Sequence, residues 1–228
     1  MEQFLDIIFK LLQGLGQTTS LFVLTLLFSL PLGLIFSFGS MSKFKPISFL
    51  VKTVVWIIRG TPLLLQILVV SFVPRYVFGL FNSRLAAMLG LTIGELMFAF
   101  VSIAFIINYA CYFSEIFRAG IQSVPVGQSE AGQVLGLKKS QIFFKIILMQ
   151  VVKRTLPPLS NEIITLVKDT SLATILGVID LFGAAQQAVN QYVTLEPLAY
   201  AAVFYLIFNG VLTLLFNYLE KKMSYYKI

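Results

Sequence analysis

Three long stretches of this sequence contain no charged side chain. They cover residues 11–42, 96–114 and 197–219, and each approaches or exceeds the roughly 20 residues that a helix needs to cross the hydrocarbon core of a bilayer. The composition agrees, because 58% of the residues are hydrophobic and only 12% are charged, whereas globular proteins average about 25% charged residues. The sequence therefore predicts an integral membrane protein.

Two further spans are predicted where the apolar pattern is interrupted. Residues 53–74 carry one charge, Arg59, which is followed directly by the Gly-Thr-Pro sequence of residues 60–62. We expect the helix to kink there, or a short helix to give way to the span proper. Residues 156–180 are apolar in parts but hold several charged side chains, which inside a membrane usually face protein or a water-filled cavity.

The predicted fold class is all-α, because a membrane barrel would show short alternating segments and not long continuous apolar runs. We predict a single transmembrane domain covering residues 1–228, with about five transmembrane helices. The spans are expected at about 17–40, 53–74, 95–117, 155–180 and 197–220.

The basic residues predict the orientation of the chain. If the long loop between the third and fourth spans is cytoplasmic, thirteen of the seventeen Lys and Arg residues lie inside. The exceptions are Lys10, Arg75 and Arg84 outside and Lys168 within a span. This bias predicts an N-terminus outside and a C-terminus in the cytoplasm. Contact with anionic lipid then explains the net charge of +7 without any nucleic acid partner.

No catalytic, cofactor or metal site is predicted in this chain. Cys111 is the single cysteine and there is no histidine, which excludes disulfide frameworks and thiol or imidazole metal sites. An ATPase would need the phosphate-binding pattern GxxxxGK[ST] between a strand and a helix. The nearest string, residues 136–140, lacks the preceding glycine, so any nucleotide hydrolysis must come from a partner.

The loop between the third and fourth spans is the longest connection, running from about residue 118 to 156. Its pattern predicts two short surface helices, at residues 130–137 and 140–152, with Ser140 capping the second. Gly132 and Gly136 stand four apart, on one face of the first helix. They would permit close approach by another protein surface or, alternatively, tight packing within this subunit.

Residues 123–137 of this loop resemble the EAA loop of bacterial ABC-importer permeases. Glu130, Ala131 and Gly132 stand at that family's Glu-Ala-Ala, and Gly136 stands at its glycine. The RGTPLLLQ sequence of residues 59–66 resembles the polar amino-acid permeases, the histidine, glutamine, glutamate, arginine and opine group. Residues 112–128, 168–172 and 177–181 resemble further segments of that group. The departures are Gly132 for alanine and Leu148-Met149 for the family's Leu-Pro.

The resemblance implies the transmembrane domain of a type I ABC importer, a permease subunit that moves polar amino acids by alternating access. It implies two ATPase subunits that hold ATP and Mg²⁺, a second permease copy or a sister permease, and an extracytoplasmic solute-binding protein. The location implied is the bacterial cytoplasmic (inner) membrane. The expected coupling loop is about 123–152, and Glu130 would cap a helix start or meet a basic residue of the ATPase. The coupling residues implied are Glu130, Ala131, Gly132, Gly136, Leu137 and Leu148.

Polar faces of the spans suggest a substrate pathway. Glu162, Thr165 and Asp169 fall within about 60° of one another on a helical wheel. Asn108, Tyr112 and Glu115 do the same in the third span. Arg59 and Gln66 add polar groups in the second. Such faces suit a zwitterionic amino acid, but the same groups could instead pair with each other and hold the helices together.

The nature of the substrate is less constrained. If Glu115, Glu162 and Asp169 face the cavity while Arg59 and Lys168 do not, net acidity would favour a cationic or cystine-like amino acid. A secondary transporter or channel for small polar solutes, without an ATPase, is the alternative function. That class usually shows more spans or an internal repeat, and no repeat is visible in this sequence.

Overall fold

The computed structural model describes residues 1–223, and this part of the chain contains helices and no strand. The all-α prediction is confirmed. Lys227, one of the thirteen residues predicted to be cytoplasmic, lies outside the described residues. The elements are α1 (Glu2–Ser40), α2 (Lys45–Arg59), α3 (Leu63–Phe78), α4 (Asn82–Leu89), α5 (Ile93–Gln122), α6 (Val126–Val134), α7 (Lys139–Ile142), a π-helical turn (Phe143–Ile147), α8 (Leu148–Asp169), a 3₁₀ turn (Thr170–Leu176), α9 (Leu181–Tyr192) and α10 (Glu196–Met223).

Three of these helices, α1, α5 and α10, are long and apolar enough to cross a membrane. Two bent pairs would raise the number to five. The first pair is α2 with α3, which differ in direction by 109°, and the second is the segment 139–176 with α9, which differ by 54°. The range of three to five agrees with the predicted architecture, while the exact span boundaries stay predictions.

The predicted interruption in the second span separates α2 from α3. Pro62 has extended backbone (φ −62°, ψ 134°) and α3 begins directly after it, since proline lacks the N–H group that a continuous helix requires. Gln66 fills the gap that this break leaves. Its Nε2 donates to the carbonyl oxygens of Ile58 at 2.7 Å and Thr61 at 3.0 Å, so a side chain satisfies backbone acceptors that have lost their helical partners.

Helix α5 forms the centre of the bundle and packs against α1, α3 and α8. Gly33 permits the close approach of α1, because a Cβ atom there would lie 2.9 Å from the carbonyl oxygen of Ala110 and 2.9 Å from the Cβ of Phe113. Phe105 and Tyr109 of α5 are fully buried in the main apolar cluster. Helix α10 leaves most of its apolar side chains exposed.

The buried carboxylate of Asp180 ties three elements together, and the residue after it binds a fourth. It caps α9 by accepting a hydrogen bond from the Gly183 N–H at 2.9 Å, as expected for Asp at a helix N-cap. The hydroxyl of Thr174, in the 3₁₀ turn, donates to it at 2.5 Å, and the hydroxyl of Tyr205, in α10, donates at 3.2 Å. The adjacent Leu181 N–H donates to Thr18 of α1 at 3.0 Å.

Candidate functional site

The first helix of the long loop begins earlier than predicted. Helix α6 runs Val126–Val134, not 130–137, because Pro125 has no N–H group to leave unsatisfied and can directly precede a helix. Glu130 therefore lies in the middle of α6 with its side chain exposed, and the first turn contains no acidic residue. The expected helix-capping role of Glu130 is wrong, while its contact with an ATPase stays a prediction.

The two glycines of this loop have different structural roles. Gly136 adopts a left-handed backbone conformation (φ +73°) and terminates α6. The Leu137 N–H donates to the Gly132 carbonyl at 3.0 Å, and the Gly136 N–H donates to the Gln133 carbonyl at 2.9 Å, which is a Schellman motif. Because the helix ends before Gly136, the prediction that both glycines share one helical face is wrong.

Gly132 instead packs within the subunit, as the alternative expectation held. It is buried, and a Cβ atom at this position would lie 2.8 Å from Cγ1 and 3.1 Å from Cδ1 of Ile142. Ile142, in α7, is only 2% exposed. The glycine thus leaves room for a large side chain of the next helix. No other atom lies within 4 Å of the equivalent position at Gly136.

The second predicted short helix, 140–152, is not a separate element. Helix α7 begins at Lys139, and Gln141 accepts a hydrogen bond from the Lys138 N–H at 2.8 Å, so Ser140 does not cap it. The chain continues from α7 through the π-helical turn into α8, which begins at Leu148. Met149 has an N–H group where the family's proline would have none, and the chain is helical on both sides of it.

Three exposed apolar residues on the loop were not predicted as site residues. Val126 is 73% exposed, Val134 87% and Leu135 77%, and they lie at the two ends of α6. Glu130 and Ala131 between them are also exposed. Apolar side chains in an otherwise polar segment were the sequence signal for this surface. We call these five residues the α6 surface.

A charged cleft of about 560 Å³ lies where the C-terminal ends of α2 and α5 meet the middle of α8. Arg59 approaches Glu115 with an Nη1–Oε2 distance of 3.7 Å, and its guanidinium group lies 5.2 Å from the centroid of the Tyr112 ring, within the range of a cation–π interaction. Glu162 faces the same cleft. We call this site the arginine–glutamate cleft; its charged lining residues are Arg59, Glu115, Arg118, Arg154 and Glu162.

Two arginines of the cleft were not predicted as site residues. Arg118 donates two hydrogen bonds to Glu115 from one edge of its guanidinium group, with Nε–Oε1 at 3.0 Å and Nη2–Oε2 at 2.5 Å. Arg154 donates to the Ser123 carbonyl and so links α8 to the end of α5. With three arginines and two glutamates, the cleft does not meet the condition for an acidic cavity, and the expected preference for a cationic substrate has no support from it.

The other predicted pathway residues lie outside this cleft. The Asn108 Nδ2 donates to Gln66 Oε1 at 3.0 Å, and the Tyr109 hydroxyl donates to Asp169 at 2.7 Å. Thr165 is half-buried on α8. The structure therefore brings Arg59, Glu115 and Glu162 together, whereas Gln66, Asn108 and Asp169 pair with side chains of neighbouring helices. Within residues 1–223, no group of three or more Cys, Asp or Glu side chains is placed to hold a metal ion.

Comparison with known protein families identifies the family of this chain. Residues 29–225 match the family described as the binding-protein-dependent transport system inner membrane component. The chain belongs to this family. A permease of this family is a membrane subunit of an ABC importer and lies in the inner membrane. It works with ATPase and binding-protein partners. The alternative function, a secondary transporter or channel, is not favoured.

Relatives and solved structures cover nearly the whole permease. The L-cystine transport system permease protein TcyB of Bacillus subtilis is 38% identical over 93% of this chain and 86% of the relative. The arginine transport system permease protein ArtQ of the same organism is 33% identical over 94% and 92%. A crystal structure of an amino acid ABC transporter with histidines superposes with a TM-score of 0.79 at 28% identity, covering 96% of each chain. The MetNI methionine ABC transporter shares the fold, with a TM-score of 0.65 at 17% identity.

Proposed function

We propose that this permease carries a polar amino acid into the cell by alternating access, driven by ATP hydrolysis in a separate ATPase. The observation that carries the proposal is the arginine–glutamate cleft, in which guanidinium and carboxylate groups face one space. An amino acid has an ammonium group and a carboxylate, and the cleft offers a partner of opposite charge to each. The relatives TcyB and ArtQ, permeases of an L-cystine and an arginine transport system, support this substrate class.

The α6 surface is the proposed contact with the ATPase. Val134 and Leu135 expose apolar area that would be buried in a groove of the partner, and Glu130 could meet a basic residue at the edge of that groove. Ala131 lies on the same surface. Gly136 contributes by ending the helix, and Gly132 by holding α6 against α7. The coupling roles of Leu137 and Leu148 stay predictions.

Motion of the ATPase would reach the cleft through a continuous stretch of helix. Two ATPase subunits, which hold ATP and Mg²⁺, would close when ATP binds and displace α6. Because Gly132 packs against Ile142, α7 would move with α6. The chain stays helical from α7 through α8, and α8 carries Arg154 and Glu162 of the cleft. A shift of the loop would therefore reposition charged groups that face the substrate.

The remaining partners and the orientation belong to the same proposal. A second permease copy or a sister permease would complete the transmembrane pathway, and an extracytoplasmic solute-binding protein would deliver the amino acid. The distribution of basic residues supports an N-terminus outside and a C-terminus in the cytoplasm. This chain itself would contribute no catalytic residue and hold no cofactor.

The proposal is tested by measuring ATP hydrolysis in proteoliposomes that contain the permease, its ATPase and its binding protein. A panel of amino acids is added in turn, with sugars and dipeptides as controls. We expect one or a few polar amino acids to stimulate ATP hydrolysis when the binding protein is present. Stimulation by a control solute alone, with none by any amino acid, would refute the proposed substrate class.

A further inference from the structure

Helix α2 does not continue the direction of the span that follows it. It differs from α3 by 109° and is fixed to the end of α1. The Ser48 hydroxyl donates to the carbonyl of Ser40, the last residue of α1, at 2.7 Å. A Cβ atom at Gly39 would lie 3.0 Å from Val51. The first half of α2 therefore lies level with one end of α1, where the first span leaves the bilayer.

One side of α2 alternates lysine with large aromatic side chains. Lys45, Phe49, Lys52 and Trp56 are spaced by four, three and four residues, which places them within about 60° of one another on a helix. Both lysines are exposed, Phe49 is 74% exposed and Trp56 is 76% exposed. We call this row the lysine–aromatic stripe. The buried residues Ser48 and Val55 face the helical bundle.

We propose that the lysine–aromatic stripe binds the anionic phospholipid surface of the membrane, so that α2 lies obliquely in the headgroup region. Tryptophan is enriched at this depth because one end of its ring is apolar and the other can donate a hydrogen bond. Lysine keeps its ammonium group in the polar layer while its methylenes rest on apolar surface. Two lysines beside two aromatic rings thus match an interface of lipid phosphates above acyl chains.

A lipid surface fits the stripe better than a protein partner does. A hydrophobic core between two proteins is usually depleted of lysine, whereas here the two lysines alternate with the two aromatic residues of the helix, both of them exposed. The 109° bend also favours a lipid surface, since a helix must turn away from the direction of its span to lie along the membrane interface. Bound lipid would also fix the position of Arg59, the last residue of α2, which faces the arginine–glutamate cleft.

The test uses Trp56, the only tryptophan of the chain. The full-length permease is reconstituted alone into phosphatidylcholine vesicles whose acyl chains carry bromine either near the headgroup or near the methyl end. Tryptophan fluorescence is quenched by nearby bromine. We expect the shallow bromines to quench Trp56 at least twice as strongly as the deep ones. Stronger quenching by the deep bromines, or no quenching at either depth because a second copy covers the residue, would overturn the proposal.

Headgroup charge is tested with the same signal. Shallow-brominated phosphatidylglycerol is compared with shallow-brominated phosphatidylcholine, and we expect a preference of about fivefold for each lysine near the anionic surface. The double variant Lys45→Gln/Lys52→Gln should lose this preference and still show shallow quenching. Arg84→Gln, which removes one positive charge from α4, is the matched control and should keep it. A wild-type protein with no preference would overturn the anionic part of the proposal.

Discussion

Replacing Gly132 with alanine tests how tightly α6 is held against α7. The new Cβ would lie 2.8 Å from Cγ1 of Ile142 and 3.1 Å from its Cδ1, closer than the 3.4–4 Å of ordinary contact. Overpacking of this kind costs about 1–3 kcal/mol. Alanine favours the helix over glycine by about 1 kcal/mol, which offsets part of that cost. We expect Gly132→Ala to lower the free energy of local unfolding of α6 by about 1 kcal/mol.

Gly127→Ala is the matched control for this substitution. Gly127 lies in the same helix, and a Cβ atom there would have no neighbour within 4 Å, so alanine brings the helical preference without the clash. The free-energy difference between the two variants therefore isolates the steric cost at Ile142. Ile142→Ala supplies a second check, because it removes the Cγ1 and Cδ1 atoms that the new Cβ would meet. The double variant Gly132→Ala/Ile142→Ala should therefore have a local stability of α6 no lower than that of Ile142→Ala alone.

Hydrogen exchange measured by mass spectrometry on peptides covering α6 reports this local stability. We expect amides of Val126–Val134 to exchange about fivefold faster in Gly132→Ala than in the wild type, since 1.4 kcal/mol corresponds to a factor of ten. Gly127→Ala should exchange no faster than the wild type. Equal protection in the two alanine variants would refute the packing of Gly132 against Ile142 as the force that holds this loop together.

Three further substitutions test the coupling surface, the cleft and the fold. Val134→Glu should weaken ATPase binding by about tenfold or more in a pull-down titration, because a charge in an apolar contact must be desolvated, while Val134→Leu should bind normally. Glu162→Gln should lower uptake by about tenfold, the loss expected for one charged contact, in a protein that still assembles; equal loss of assembly would instead indicate a role in holding helices together. Asp180→Ala should lower the free energy of unfolding in detergent by about 2–4 kcal/mol, through the lost cap and the buried donors left unpaired, and an unchanged midpoint would contradict this.

The break between α2 and α3 could be predicted because it depends on local chemistry. Proline removes an N–H group wherever it stands, so residues 60–62 indicate an interruption without any knowledge of the fold. The direction of the bend could not be predicted, since it depends on tertiary contacts. Gln66 shows the same limit. Its helical spacing placed it on a polar face, but its bonds to the Ile58 carbonyl and to Asn108 depend on how three helices meet.

The loop was predicted in its location and only partly in its structure. The motif indicated where Glu130 and Gly136 would lie, but helical periodicity does not distinguish a residue inside a helix from the glycine that ends it. The burial of Gly132 depends on Ile142, ten residues further along the chain, and no local pattern connects the two. Arg118 and Arg154 were missed as cleft residues because basic side chains beside a span are equally expected at a lipid surface.

Uptake of a labelled amino acid into proteoliposomes tests the central claim most directly. Vesicles contain the permease with its ATPase and binding protein, and matched vesicles omit ATP, the ATPase or the binding protein. An ATP-driven importer should accumulate the amino acid above its external concentration only when all components and ATP are present. Accumulation that persists without the ATPase, driven by an ion gradient alone, would contradict the claim and favour a secondary transporter.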